Sequence, residues 1–233
     1  MCIRDSPCTV PIYELGIDDR DRFFFAMKQV AGRSLFKVIV GLARRVPEDE
    51  AEFTLDRLLL VFVQVGEALC YSHAMGVIHR DIKPENVLVG QFGEVTLLDW
   101  GSAKVWGMPN EGDDDSVRDR GGTPLYMSPE QVLGHRHLDE RTDIFSMGIV
   151  LYEMLAQREP FRGANVRATF DNIVNEEPKK ISEVSPHRNV PEQLEEICFR
   201  AMQKEPRNRY SSMSAMVDDV RKFRSDAMLR GSV

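Results

Sequence analysis

The segment "VIHRDIKPENVLV", Val77 to Val89, decides how the rest of the sequence is interpreted. Positions 79–86 carry a histidine, an arginine, two acids, a lysine and an asparagine, and aliphatic residues flank them on both sides. Buried polar groups without partners destabilise a protein, so these side chains must be satisfied by one another, by a metal or by a substrate. The segment therefore predicts a site with a chemical function.

The composition is that of a globular protein with an acidic surface. The chain has 233 residues, 42% hydrophobic content and a formal net charge of −7. This apolar content is enough to bury a core. A nucleic-acid module and a binder of anionic membranes both need basic surfaces, so the acidic balance argues against these two classes. We expect no nucleic-acid partner.

Cysteine usage and hydropathy indicate the compartment. The four cysteines form no CxxC pair, which fits neither a disulfide framework nor a zinc site and predicts a reducing environment. The longest apolar run, "LLLVFV", is far shorter than the roughly 18 residues that cross a bilayer, and no signal-peptide pattern opens the chain. We expect a cytoplasmic protein with no membrane segment in this piece, and a membrane tether in a longer parent is compatible with that.

Two segments before the loop have clear patterns. "TVPIYELG" and "RFFFAMKQV" are rich in β-branched and aromatic residues around the polar turn "IDDRD", which predicts a β-hairpin. Apolar residues then recur at helical spacing and predict a helix from Leu55 to about His73. The residues on its apolar face are Leu55, Leu58, Leu59, Phe62, Val65 and Leu69. The polar loop therefore follows directly after a helix.

Beyond the loop, "VLV", the turn "GQFG" and "EVTLL" predict a second short hairpin. Residues 106–120 lack periodicity, which predicts a long loop. "DIFSMGIVLYEML" is apolar nearly all round and predicts a helix buried in a large core. Further helices are predicted near residues 164–175, 191–203 and 211–224. Strands followed mainly by helices indicate the α+β class.

The second hairpin brings polar side chains together. Its ends are Asn86 and Asp99, so pairing across the turn places both at one edge, beside the loop that holds Asp81. Carboxylate and amide oxygens suit Mg²⁺, which shares its coordination with water and substrate phosphates. Asp81 could accept a proton from an attacking hydroxyl, and Lys83 could neutralise charge on a transferred phosphoryl group.

The motifs "HRDIKPEN", "DWG" and "GTPLYMSPE", followed by "DIFSMG" and "PRNRY", resemble in order and spacing those of eukaryotic-type serine/threonine protein kinases, most of all the bacterial members. The resemblance covers about Thr9 to Asp226. It implies a protein-kinase-like α+β fold, mainly the helical large lobe (residues 31–233) with the last strands of the small lobe (residues 1–30). We expect residues 1–6, "MCIRDS", to be non-native because they resemble adapter-derived sequence.

The resemblance also implies roles for individual residues. Asp81 would be the catalytic base, Lys83 would stabilise the γ-phosphate of ATP and mark serine/threonine specificity, and Asn86 and Asp99 would hold Mg²⁺. The backbone of Lys28 and Val30 would bond the adenine, with Met27 as the gatekeeper and Leu88 beneath the ring. The implied partners are ATP and a protein with acceptor Ser or Thr hydroxyls.

Several further contacts follow from the same resemblance. Arg80 would receive an anionic group, and Thr123 would hydrogen-bond Asp81 and Lys83. Glu130 would pair with Arg209, unless the two are unrelated surface charges. Asp143 would hold the backbone of the catalytic loop, and it also reads as a helix N-cap, a role compatible with the first.

Three surface features have simpler alternatives. The "DDD" at residues 113–115 is either a solvated loop tip or an attractor of basic substrates. His135 and His137 lack a third ligand and fit a surface loop better than a metal site. Ser116 is the free candidate phosphosite, whereas Asp119 is either a built-in charge opposite Arg80 or one more solvated acid.

The sequence departs from the family pattern in two respects. Trp100 stands where the family usually has phenylalanine, and its indole N–H needs a partner. No G-x-G-x-x-G occurs, and too few residues precede Met27 for the phosphate-gripping strand lysine. We therefore expect the parent protein to be an active kinase. This piece is expected to be a truncated copy of it that is inactive alone. The alternative is a non-catalytic, pseudokinase-like interaction module.

Overall fold

The computed structural model describes residues 12–17, 19–20, 22–106 and 122–229. It begins with the predicted hairpin, in which β1 (Ile12–Ile17) pairs antiparallel with β2 (Phe23–Met27). Within the described residues these two strands form a sheet of their own. Several of their apolar side chains are exposed, with Phe23 reaching 87%.

A short strand and three helices lead to the polar loop. The strand β3 (Arg33–Ser34) runs straight into α1 (Leu35–Ala43), because the Ser34 side chain accepts the Lys37 N–H and so caps the helix. The short α2 (Pro47–Glu52) follows. The long α3 (Leu55–Ala74) confirms the helix expected from Leu55, with its predicted apolar face packed in the core.

Two small sheets frame the polar loop. In the first, β5 (Val87–Val89) lies between β3 and β6 (Val95–Leu97), which confirms the second predicted hairpin. In the second, β4 (Val77–Ile78) pairs antiparallel with β7 (Lys104–Val105). The loop therefore leaves β4 and enters β5, so both of its ends are fixed by strand pairing.

The helical core is centred on α5 (Arg141–Ala156), in which 15 of the 16 residues are buried. That burial confirms the helix predicted to be apolar nearly all round. The helices that follow or precede it are α4 (Pro129–Val132), α6 (Val166–Asn175), α7 (Ile181–Val184), α8 (Glu192–Ala201) and α9 (Met213–Leu229). Of these, α7, α8 and α9 pack against α5, and α4 packs against α6. The helices α6, α8 and α9 confirm the three helices predicted beyond residue 160, and α9 packs against α3.

In the part of the chain that the structure describes, every helix is too short or too polar to cross a membrane. Cys70 and Cys198 are free thiols. Burial raises the pKa of the Cys70 thiol to about 11 and that of Cys198 well above its ordinary value. Both thiols are therefore protonated at neutral pH.

Candidate active site

The polar loop is held in shape by one buried carboxylate, that of Asp143 in the first turn of α5. Its Oδ2 accepts the backbone N–H of His79 at 2.8 Å and its Oδ1 accepts that of Arg80 at 2.9 Å. The expected anchoring of the loop by Asp143 is confirmed. The expected N-cap role is wrong, because α5 begins at Arg141 after the cap residue Glu140, which places Asp143 inside the helix.

His73, at the end of α3, completes the anchor and was missed by sequence reasoning. Its Nε2 lies 2.8 Å from Oδ2 of Asp143. Burial alone would raise the pKa of Asp143, but the hydrogen bond and charge of His73, with the contacts from His79, hold that pKa below its ordinary value. The carboxylate is therefore ionised and accepts three hydrogen bonds. The signal available in the sequence was a histidine near the end of a predicted apolar helix.

His79 has a defined tautomer at the start of the loop. Burial lowers its pKa, so the ring is neutral. Its Nε2 lies 3.0 Å from the Leu98 carbonyl oxygen and donates to it, while Nδ1 accepts the Asp81 N–H at 3.3 Å. The ring also lies 4.6 Å from that of Trp100, centroid to centroid. His79 thus joins the loop to the segment that carries Asp99.

Asp81, Lys83 and Thr123 form a closed triangle of side-chain contacts. Lys83 Nζ lies 2.6 Å from Asp81 Oδ2 and 2.7 Å from Thr123 Oγ1. The Thr123 hydroxyl donates to Asp81 Oδ1 at 2.8 Å. The expected contacts of Thr123 are confirmed. The triangle places a carboxylate oxygen, an ammonium and a hydroxyl within hydrogen-bond range of one another.

Asn86 and Asp99 lie where the second hairpin opens. The Leu98 N–H bonds to the Asn86 carbonyl at 2.7 Å, which brings the two hairpin ends together as expected. The Asn86 Nδ2 donates to the Asp81 carbonyl at 2.9 Å, so the amide oxygen is the atom left to meet a cation. Asp99 is exposed, and its backbone lies in the left-handed region with a φ of 59°. One amide and one carboxylate oxygen at this edge fit Mg²⁺.

The indole of Trp100 has the partner that its N–H needs. Nε1 donates to the Leu97 carbonyl over 3.3 Å, and the half-buried ring packs against the core. Asp99 Oδ1 accepts the Gly101 N–H at 3.3 Å. The replacement of phenylalanine by tryptophan is therefore accommodated, and it adds a hydrogen bond that a phenylalanine could not make.

Arg80 points its guanidinium towards the segment that follows Asp99. Its Nε donates to the Ser102 carbonyl at 2.6 Å, and burial lowers the pKa of its guanidinium below the ordinary value. Its backbone is left-handed, with a φ of 67°, and its carbonyl accepts from Gln131 Nε2 at 2.9 Å. Gln131 was not predicted, although a buried glutamine must find partners.

Two buried acids stabilise the helices below the loop. Glu130 makes a bidentate pair with Arg209, at 2.7 and 2.8 Å, which confirms the expected buried ion pair. Burial raises the pKa of Glu130, but its bonds with Arg209 outweigh this and lower it overall. Glu153 was missed: it accepts the Tyr126 hydroxyl at 2.7 Å, and burial raises its pKa to about 8. An acid inside the apolar α5 was the readable signal.

The residues expected around the adenine lie on two elements. Met27 ends β2 and is about half exposed, and Lys28 and Val30 follow it in the segment that leads to β3. Leu88 is half-buried at the centre of β5, opposite Ser34 on one side and Thr96 on the other.

Of the surface features singled out in the sequence, the structure describes only the two histidines. His135 and His137 are exposed, and among the described residues no group of three or more histidine, cysteine or acidic residues could hold a metal. The acidic run at residues 113–115, with Ser116 and Asp119, lies outside the described residues, as does most of the loop predicted for 106–120.

Comparisons with known proteins identify protein kinases as the similar proteins. Residues 5–220 match the family described as "Protein kinase domain". The chain is 31% identical over 93% of its length to the serine/threonine-protein kinase PknD of Protochlamydia amoebophila. It is 32% identical over 95% of its length to a probable serine/threonine-protein kinase of Clostridium perfringens. It spans 24% of the first relative and 30% of the second.

Proposed function

The chain belongs to the protein kinase domain family, and from that premise we propose that its parent protein transfers the γ-phosphate of ATP to serine or threonine hydroxyls of other proteins. Protein kinases use ATP and a divalent metal. The observation that carries the proposal is the triangle of Asp81, Lys83 and Thr123. A structural loop has no need for these three side chains to converge.

Asp81 is the proposed catalytic base. Its carboxylate is 7% exposed, and hydrogen bonds fix both of its oxygens, which gives it one orientation. A carboxylate in this position accepts the proton of an incoming serine or threonine hydroxyl as the oxygen attacks phosphorus. The Asp143 anchor supports this role because it fixes the backbone on the N-terminal side of Asp81.

Lys83 is the proposed electrostatic stabiliser of the transferred phosphoryl group. Its ammonium contacts Asp81 and Thr123, so its chain is already extended towards the base. A cation held there needs little reorganisation when negative charge develops on the phosphoryl oxygens. Thr123 belongs to the segment 122–128, and it would order that segment beside the acceptor hydroxyl.

Asn86 and Asp99 are the proposed ligands of Mg²⁺. The magnesium ion, when bound, neutralises charge on the phosphate oxygens. The hydrogen bond from Asn86 Nδ2 to the Asp81 carbonyl orients the amide, and the left-handed backbone at Asp99 is stabilised by its bond with Gly101. For the nucleotide base, we propose the Lys28 and Val30 backbone, with Met27 as gatekeeper and Leu88 beneath the ring.

Phosphoryl transfer by the full-length parent tests this proposal. The purified parent is incubated with radiolabelled ATP and a generic acceptor protein, with Mg²⁺ or with EDTA. We expect Mg²⁺-dependent labelling of phosphoserine and phosphothreonine, abolished by EDTA. Absence of transfer under all conditions would favour the interaction module, and phosphotyrosine as the sole product would contradict the assigned specificity.

A further inference from the structure

A segment at residues 28–32 connects β2 to β3, and we call it the linker. It leads into Arg33, whose backbone pairs with Val89, while the next residue, Ser34, pairs with Leu88. The exit of the linker therefore lies against the strand that carries the proposed floor of the adenine pocket. The two backbones lie so close at this exit that a Cβ built on Gly32 would be 2.8 Å from the Val89 carbonyl oxygen.

The side chain of Arg33 makes a second attachment, to α2. Its Nη2 lies 2.6 Å from Oδ1 of Asp49, and its guanidinium stacks 5.2 Å above the ring of Phe53. Asp49 is 6% exposed and Phe53 is 4% exposed. The Arg33 side chain is 40% exposed, and its Nη2 lies close to Asp49 without a hydrogen bond of good geometry. The contact is therefore an ion pair between a buried carboxylate and a partly exposed arginine, which contributes modestly.

The Asp49 carboxylate occupies the space beside Gly41 of α1, where a larger residue would have its side chain. A Cβ built on Gly41 would lie 1.6 Å from Oδ2 of Asp49, so any larger residue at position 41 would displace the carboxylate. The Asp49 side chain thus packs against the backbone of α1 while it holds Arg33. Contacts to β5, α1 and α2 all converge on the end of the linker.

We propose that Arg33 is a positioning residue for the nucleotide: its ion pair with Asp49 adds a side-chain attachment to the backbone pairing of β3 with β5, and so holds the linker in place beside Leu88. The proposal rests on the proposed kinase function. Arg33 acts through the linker backbone and does not touch ATP itself. Loss of the pair leaves the exit of the linker held by the backbone pairing of β3 with β5 alone, which weakens nucleotide binding and leaves the chemical step unchanged.

Arg57 provides a matched control. It also stacks on Phe53, at 5.9 Å, but it belongs to α3 and its ion pair with Glu52 is long, at 3.9 Å. A general effect of removing an arginine from this surface would appear equally in both variants. An effect through the linker would appear only at Arg33.

The test measures the Kd for ATP by calorimetry in the presence of Mg²⁺, together with kcat, in the full-length parent. We expect Arg33→Gln and Asp49→Asn each to raise the Kd by about two- to fivefold with kcat unchanged, since half-exposed ion pairs contribute on this scale. The double variant should be no weaker than either single variant. Arg33→Lys should restore most of the affinity, and Arg57→Gln should bind like wild type.

An unchanged Kd in Arg33→Gln, or an equal loss in Arg57→Gln, would overturn the proposal. Melting temperatures, measured alongside, show whether a variant is merely less stable, and a fall in melting temperature without a change in Kd also overturns it. A wild-type parent that binds ATP but transfers no phosphate would contradict the proposed function while the Kd values still test Arg33.

Discussion

The hydroxyl of Thr123 donates a 2.8 Å hydrogen bond to Oδ1 of Asp81, although the two residues lie 42 positions apart. Lys83 closes the contact from the other side by approaching both residues. The proposed base is therefore oriented by a segment that comes from a distant part of the chain. Any change that moves that segment should therefore alter the orientation of the Asp81 carboxylate.

Replacement of Thr123 by valine keeps the shape of the side chain and removes its hydroxyl. We expect kcat of the full-length parent to fall by roughly ten- to a hundredfold, because a hydrogen bond to a charged group contributes about 1.5–3 kcal/mol. Thr123→Ser keeps the hydroxyl and should stay close to the wild-type rate. Equal rates for the valine and serine variants would show that the hydrogen bond has no part in catalysis.

Removal of one partner from the buried pair of Glu130 and Arg209 should strongly destabilise the protein. Glu130→Gln leaves the fully buried Arg209 without its counter-charge, so we expect the free energy of unfolding to fall by about 3–5 kcal/mol. The control is the exposed pair of Glu67 and Arg221, where Glu67→Gln should cost less than about 1 kcal/mol. Denaturant titration measures both, and similar losses would contradict the assignment.

Trp100 should be replaceable by phenylalanine at a modest cost. The change removes the hydrogen bond to the Leu97 carbonyl, so we expect the free energy of unfolding to fall by about 1 kcal/mol. Trp106 is the other tryptophan and is about half exposed, so Trp106→Phe should change it by less than about 0.5 kcal/mol. If Trp100→Phe matches the Trp106 control, the indole hydrogen bond contributes nothing.

Glu153 should make stability depend on pH. Burial raises its pKa from 4.5 to about 8, the nearby charges of Glu159 and Glu85 add to this, and the Tyr126 hydrogen bond and Arg162 oppose it. Between these two values the folded state holds a proton that the unfolded chain has released. The contribution of Glu153 to stability is therefore fully present below about pH 4.5 and declines as pH rises towards 8.

Glu153→Gln removes this titration and keeps an acceptor for Tyr126. Relative to the variant, the wild type should lose up to about 1.4 kcal/mol per pH unit between roughly pH 5 and pH 8. Denaturant titrations across this range measure the difference between the two proteins. Parallel pH profiles would contradict the raised pKa.

The elements that were predicted carry local signals. The apolar spacing from Leu55 marks α3, the "GQFG" turn marks the second hairpin, and the apolar composition of α5 marks a buried helix. The helix α1 was not predicted, because "LFKVIVGLA" is rich in β-branched and aromatic residues that suit a strand equally well. Its start signal is the single cap at Ser34.

The long-range contacts of the site could not be derived from spacing. Thr123 and the Glu130–Arg209 pair were predicted from the family resemblance, since pairs 42 and 79 positions apart leave no periodic trace. Asp143 was placed correctly as the loop anchor, but the start of its helix was not, because Glu140 makes no side-chain cap bond. The Arg33–Asp49 contact depends on the space beside Gly41, which only packing reveals.

The most direct test of the proposed function is the rate of phosphoryl transfer by Asp81→Asn in the full-length parent, beside Asp171→Asn, a matched change on the exposed face of α6. Asparagine has nearly the same shape but cannot take the proton, so kcat should fall by about a hundredfold or more, while the melting temperature stays near that of wild type. Asp171→Asn should transfer phosphate at the wild-type rate. A wild-type rate in Asp81→Asn would contradict the assignment of Asp81 as the base, and with it the mechanism built on the triangle.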